Sequence, residues 1–98
     1  MRVEILACAE AELAEAIQYY NQQCPGLGFE LAAEFKATLS RIEEYPNAWP
    51  PFSIRSRRCI INRFPYGVLY QIRTDLIVVL AVMQLKRDPL RWQERTHG

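Results

Sequence analysis

The feature that most constrains the fold of this chain is the run LIVVLAVMQL at residues 76–85, which is apolar at nearly every position. A strand with one face in water alternates apolar and polar residues, whereas a run that is apolar throughout is typical of a strand covered on both faces. The run is also too short to cross a bilayer. We therefore predict that residues 76–85 form a central strand of a sheet.

Two segments before this run are also predicted to be strands. They are Arg58–Phe64 and Tyr66–Arg73, each rich in β-branched or aromatic residues. The pair Thr74-Asp75 between Tyr66–Arg73 and the run at Leu76–Leu85 is predicted to form a tight turn. The last two strands would then be an antiparallel hairpin.

The first half of the chain is predicted to be mainly helical. After a short strand at Met1–Leu6, apolar residues recur at helical spacing in Ala9–Gln22 and again in Gly28–Tyr45. The sequence CPG at residues 24–26 separates the two segments, which predicts an antiparallel helical hairpin. The proline-rich stretch Pro46–Pro51 is predicted to be a rigid, irregular connection.

The predicted order of elements is βααβββ, followed by a short C-terminal helix. Asp88 and Pro89 predict the start of that helix, with Asp as N-cap and Pro at the first helical position. The predicted fold class is α+β, with the N-terminal strand and the helical hairpin packed on a twisted antiparallel sheet. At 98 residues, we expect the chain to be a single domain over residues 1–98.

The charges of the chain are divided between its two halves, although the net charge is only +1. Residues 1–54 contain three basic and eight acidic side chains, whereas residues 55–98 contain nine basic and three acidic ones. Such a division can produce a positive face, which attracts nucleic acid or acidic protein. The alternative is that the arginines are dispersed and separately solvated.

Sequence motifs for metal, cofactor or nucleotide binding are missing. There is no phosphate-binding glycine loop, and the only histidine, His97, is interpreted as a solvated tail residue. Three cysteines without a C-x-x-C pair do not suggest a disulfide framework or a zinc site, and they fit a reducing compartment. We expect a cytoplasmic protein that has no signal peptide, cofactor, metal ion or membrane association.

The remaining candidate chemistry is that of arginine, lysine and tryptophan near the strand ends. Guanidinium groups bind phosphates in a bidentate manner, and an indole can stack on an unpaired base. If the strands are neighbours, these cations can converge on one rim of the sheet. The candidate residues for such a surface are Arg57, Arg58, Arg63, Lys86, Arg87, Trp92 and Arg95. The alternative for Trp92 is a cap over an open sheet edge.

Three stretches resemble toxins of the RelE/ParE superfamily, the effectors of bacterial type II toxin–antitoxin modules. They are AEAELAEAIQYYNQQCPGLGFELAAEF in the helical hairpin, RRCIINRFPYGVLYQI across two strands, and LIVVLAVMQLKRDPLRWQER at the end. The segment FPYGVLYQI followed by an apolar strand and KRDPLRW is the more specific part. The resemblance implies a helical hairpin on a twisted antiparallel sheet and a cognate antitoxin that wraps and neutralises the toxin.

The resemblance implies two alternative targets. RelE-like members cut mRNA on the ribosome, and such members usually have an arginine directly before the LYQ-like strand, where this chain has Gly67. If the protein is an enzyme, it is then a ribosome-dependent endoribonuclease, with Arg87, Arg63 and Lys86 as the candidate catalytic residues. ParE-like members instead poison DNA gyrase without a hydrolytic site, which agrees better with a glycine at this position. A third alternative is a non-toxic relative that only binds the antitoxin.

Overall fold

The computed structural model describes residues 1–86 of the chain. In chain order its elements are β1 (Arg2–Ile5), α1 (Ala7–Gln23), α2 (Leu27–Glu44), β2 (Pro51–Ser53), β3 (Ser56–Ile60), β4 (Tyr66–Arg73) and β5 (Leu76–Gln84). The predicted α+β class and the order of strands and helices are confirmed. The C-terminal helix predicted from Asp88 and Pro89 lies outside the described residues.

The five strands form one sheet in the order β1-β5-β4-β3-β2, so β5 is central as predicted. The three pairings between β2, β3, β4 and β5 are antiparallel, in agreement with the prediction. The pairing of β1 with β5 is parallel, with Arg2 opposite Leu76 and Ile5 opposite Val79. Parallel neighbours need a long connection, and here the helical hairpin and three strands supply it. The sheet is therefore mixed rather than purely antiparallel.

The strand bounds differ from the prediction around the proline-rich connection and in β3. Three residues, Pro51–Ser53, pair with β3 as an additional edge strand. At its other end β3 stops at Ile60, well before the predicted limit at Phe64. The chain turns there because Arg63 has a φ of 73° and the Tyr66 amide donates to the Phe64 carbonyl at 2.8 Å.

The apolar faces of both helices pack against one face of the sheet. Leu31 and Ile42 of α2 are buried against the cluster that contains Tyr70 of β4 and Val79 of β5. A second apolar cluster occupies the opposite face, with members Leu69, Val78, Leu80, Ala81 and Met83. Because β5 contributes to both clusters, its continuous apolar sequence is explained by burial on two sides.

The structure also describes the state of the cysteines and the hydropathy of the helices. All three cysteines are free thiols; Cys8 and Cys24 are exposed, and Cys59 is buried in the helix-side cluster. Within residues 1–86, no helix combines the length and the hydropathy required to cross a membrane.

The turn between the helices depends on two glycines with different roles. Gly26 precedes α2 in the left-handed region, with a φ of 92°. The Gly28 amide donates to Asn21 Oδ1 at 2.7 Å, and a Cβ placed on Gly28 would lie 2.1 Å from the carbonyl oxygen of Ile17. The close approach of the two helices at this point therefore requires a residue without a side chain.

We predict that Gly28→Ala lowers the free energy of unfolding by about 3 kcal/mol or more, because the α1 backbone must move to admit the methyl group. Gly26→Ala is the matched control: nothing lies within 4 Å of its added Cβ, so only the left-handed backbone conformation is penalised. Its expected cost is about 1 to 2 kcal/mol. Urea denaturation followed by circular dichroism measures both changes. Equal costs for the two variants would show that close packing of α1 and α2 is not the cause.

Candidate functional site

Arg63 lies in the turn between β3 and β4 and is engaged by α2. Its guanidinium Nη2 donates to Glu30 Oε1 at 2.7 Å, and Nη1 lies 3.8 Å from Glu34 Oε2. The hydrogen bond with Glu30 raises the pKa of Arg63 above its ordinary value. The guanidinium also lies 5.6 Å from the ring centroid of Phe64. Two carboxylates therefore compensate the charge of Arg63, which was predicted to contact the target.

Arg57 and Arg58 lie on opposite faces of the sheet. Arg57 pairs with Tyr70, which belongs to the helix-side cluster, and Arg58 pairs with Leu69, which belongs to the cluster on the other face. Successive side chains of a strand point to opposite faces, so these two adjacent cations cannot act on one surface.

The side chain of Arg58 crosses Gly67. A Cβ on Gly67 would lie 3.0 Å from both Cγ and Cδ of Arg58, and the Arg58 guanidinium stands 5.4 Å from the ring centroid of Phe52. Arg58 is half-buried as a result. The lack of a side chain at Gly67 therefore leaves room for the Arg58 side chain on the face of the sheet opposite the helices.

Lys86 is the last described residue, and its side chain is exposed just beyond the end of β5. Arg87, Trp92 and Arg95 lie outside the described residues, so their predicted roles stay predictions. Of the four candidate cations that the structure describes, Arg63 is ion-paired, and Arg57 and Arg58 are on different faces. The structure does not bring those three together on one rim.

A different group of cations surrounds a cleft beside the β2–β3 turn. The cleft has a volume of about 560 Å³ and is lined by Arg55 of the turn, Arg57 of β3 and Arg73 of β4. Arg55 and Arg73 were not among the candidate residues selected from the sequence. The sequence could not indicate this group, because it depends on the β3–β4 register, which brings the start of β3 next to the end of β4.

The described residues offer little for acid–base catalysis. There is no histidine among residues 1–86. Burial raises the pKa of Tyr70 to about 12, and its hydroxyl donates to the Pro46 carbonyl at 2.5 Å. Burial also raises the pKa of the Cys59 thiol. Neither group is suited to accept a proton from a ribose hydroxyl at neutral pH.

Metal-dependent chemistry also has no obvious ligands in the described part of the chain. Residues 1–86 contain no group of three or more histidine, cysteine or carboxylate side chains that could hold a metal ion.

Comparison with known proteins identifies the family. The family model for the ParE toxin of the type II toxin–antitoxin system parDE matches residues 3–89. The chain belongs to the ParE toxin family. Its predicted place in the RelE/ParE superfamily is thereby confirmed. No curated protein matches the chain.

The fold of this ParE-family chain is also found among solved structures. A chain of the chromosomal ParDE TA system from P. aeruginosa aligns with a TM-score of 0.71. The alignment covers 88% of this chain and 97% of that chain, at 13% sequence identity. At this identity the similarity supports the fold.

We predict that Gly67→Ala destabilises the protein only while Arg58 is present. In the wild-type background the added methyl displaces the Arg58 side chain, at a cost of about 1 kcal/mol. In an Arg58→Ala background the same change should be neutral or stabilise by about 0.5 kcal/mol, since alanine loses less backbone entropy than glycine. A double-mutant cycle by chemical denaturation measures the coupling. An equal effect in both backgrounds would contradict the proposed sharing of space.

Proposed function

We propose that this protein is a growth-inhibiting toxin that acts on DNA gyrase in the cytoplasm and is neutralised by a cognate antitoxin. Membership of the ParE toxin family supports the toxin role. The choice of gyrase depends mainly on Gly67: the position where RelE-like relatives usually have an arginine has no side chain here. Poisoning of gyrase needs a binding surface rather than a hydrolytic site, so the loss of that side chain is no obstacle to it.

The state of Arg63 agrees with this choice. An endoribonuclease needs free cations for the negative charge that develops on the phosphorane. Arg63 was a candidate for that role, but Glu30 and Glu34 already compensate its charge. The described residues also supply no histidine as a general base.

The second candidate is a ribosome-dependent endoribonuclease, and Arg58 is the observation in its favour. The Arg58 side chain lies over Gly67, so its guanidinium is on the face of the sheet to which a side chain at position 67 would point. Arg58 could therefore replace the charge of the missing arginine. Such an enzyme would still need a base from outside residues 1–86.

The proposed antitoxin would cover apolar side chains that the fold leaves exposed. Phe29 of α2 is 70% exposed and Tyr19 of α1 is 53% exposed, both on the helical hairpin. Large aromatic residues at the surface are favourable anchors for a partner. We place the antitoxin on this hairpin for that reason.

We predict that the purified protein, mixed with gyrase, ATP and supercoiled DNA, traps cleaved DNA that appears as linear product after denaturation of the enzyme. Induced expression in bacteria should arrest growth. The matched reaction with programmed ribosomes should leave the mRNA uncut. Cuts in the ribosomal A site without trapped DNA would establish the endoribonuclease instead, and unaffected growth at high expression would favour a non-toxic, antitoxin-binding protein.

Two variants separate the roles of the candidate cations in the same gyrase assay. Arg58→Gln should weaken the activity by about tenfold, the effect of losing one buried charged contact at an interface. Arg63→Gln is the matched control and should retain activity, because its guanidinium is held by α2. A large loss of activity in a folded Arg63→Gln variant would show that Arg63 contacts the target.

A further inference from the structure

The cleft beside the β2–β3 turn carries an unusual excess of positive charge. Arg55, Arg57 and Arg73 line it from three segments, and the described residues that line it include no carboxylate. By contrast, Arg63 has two carboxylate neighbours. Arg55 and Arg73 have no carboxylate partner among residues 1–86, so an anion that enters the cleft is attracted by both.

Within residues 1–86, the guanidinium groups of Arg57 and Arg73 each make one hydrogen bond and keep further donors. Arg57 Nη1 donates a hydrogen bond to the Trp49 carbonyl at 2.7 Å. This bond orients the side chain, and the other two nitrogens stay available within residues 1–86. Arg73 Nε donates a hydrogen bond to Gln71 Oε1 at 2.8 Å, and both terminal nitrogens stay available within residues 1–86. The neutral partners orient these two side chains without cancelling their charge. Oriented guanidinium groups match the oxygens of a phosphate in a bidentate arrangement.

An exposed apolar side chain stands beside these cations. Ile54, at the tip of the β2–β3 turn next to Arg55, is fully exposed. An isoleucine at a turn tip stabilises neither the turn nor the core. Apolar side chains flanked by arginine are used by proteins that insert a wedge between base steps of duplex DNA.

We propose that this cleft binds duplex DNA, with Arg55 and Arg73 on backbone phosphates and Ile54 against the bases. Arg55 and Arg73 belong to the turn and to the end of β4, so cations flank the cleft from two elements. That arrangement fits a continuous polyanion better than a single carboxylate of an acidic protein. The inference deepens the proposed function. It rests on that function in one respect, namely that the target carries DNA.

The test is the binding of a short fluorescein-labelled DNA duplex, followed by fluorescence anisotropy over a series of salt concentrations. The double variant Arg55→Gln/Arg73→Gln changes two exposed side chains, so it should fold, and circular dichroism checks this. We expect it to weaken binding by about tenfold or more and to lower the slope of log affinity against log salt by about 2. Ile54→Ser should weaken binding and leave the slope unchanged.

Lys36→Gln is the matched control, because it removes one positive charge from an exposed position on α2, away from the cleft. Binding by this variant should equal that of the wild type. A salt slope that is unchanged in the double variant overturns the proposal. Equal affinity for single-stranded RNA, or displacement of the duplex by polyglutamate at equal charge, overturns the assignment to duplex DNA and indicates another polyanion.

The outcome is separable from that of the gyrase experiment, since DNA binding is measured without gyrase. Trapped gyrase cleavage together with unimpaired DNA binding by the double variant would reject the cleft and keep the proposed function. Loss of DNA binding in the double variant, without any gyrase poisoning by the wild type, would keep the cleft and reject the target.

Discussion

Burial of β5 on both faces is the constraint on which the rest of the structure depends. Ile77 and Val79 face the helices, whereas Val78 and Leu80 face the opposite cluster. A strand that is apolar on both faces has no alternation to fix its register, so the register must come from elsewhere. Two features supply it: the tight turn between β4 and β5, and a bulge at Leu80, since Tyr70 pairs with Val79 and Leu69 pairs with Ala81.

The parts of the fold that could be predicted from the sequence are those with strong local signals. The bounds of β4, Tyr66–Arg73, agree with the prediction because a turn and a proline delimit it. The direction of β1 could not be predicted, because alternating residues carry no information on which strand lies beside them. The edge strand Pro51–Ser53 was missed because three residues within a proline-rich stretch have no periodicity to detect. The contact of Arg63 with Glu30 joins residues 33 apart in sequence and depends on tertiary packing.

Some of the opposite charges in the two halves of the chain pair with each other within the protein. The acidic residues of α2 reach the β3–β4 turn, where Glu30 and Glu34 compensate Arg63. They do not reach the β2–β3 turn at the other end of β3, so the cations of the cleft stay without carboxylate partners among the described residues. Which of these arginines have a carboxylate partner within residues 1–86 is therefore decided by the reach of α2. A count of charges along the sequence could not show this.

The relation between Gly67 and Arg58 bears on how the two superfamily activities are distinguished. An arginine introduced at position 67 would not simply add a second guanidinium, because its Cβ would meet Cγ and Cδ of Arg58 at 3.0 Å. The Arg58 side chain would have to shift by a few tenths of an ångström, which would disturb the contact of its guanidinium with Phe52. The guanidinium over this position is supplied by β3 rather than by β4. The lack of a side chain at Gly67 thus leaves room for Arg58, and the position that RelE-like relatives usually fill with an arginine of their own is covered here by a side chain from β3.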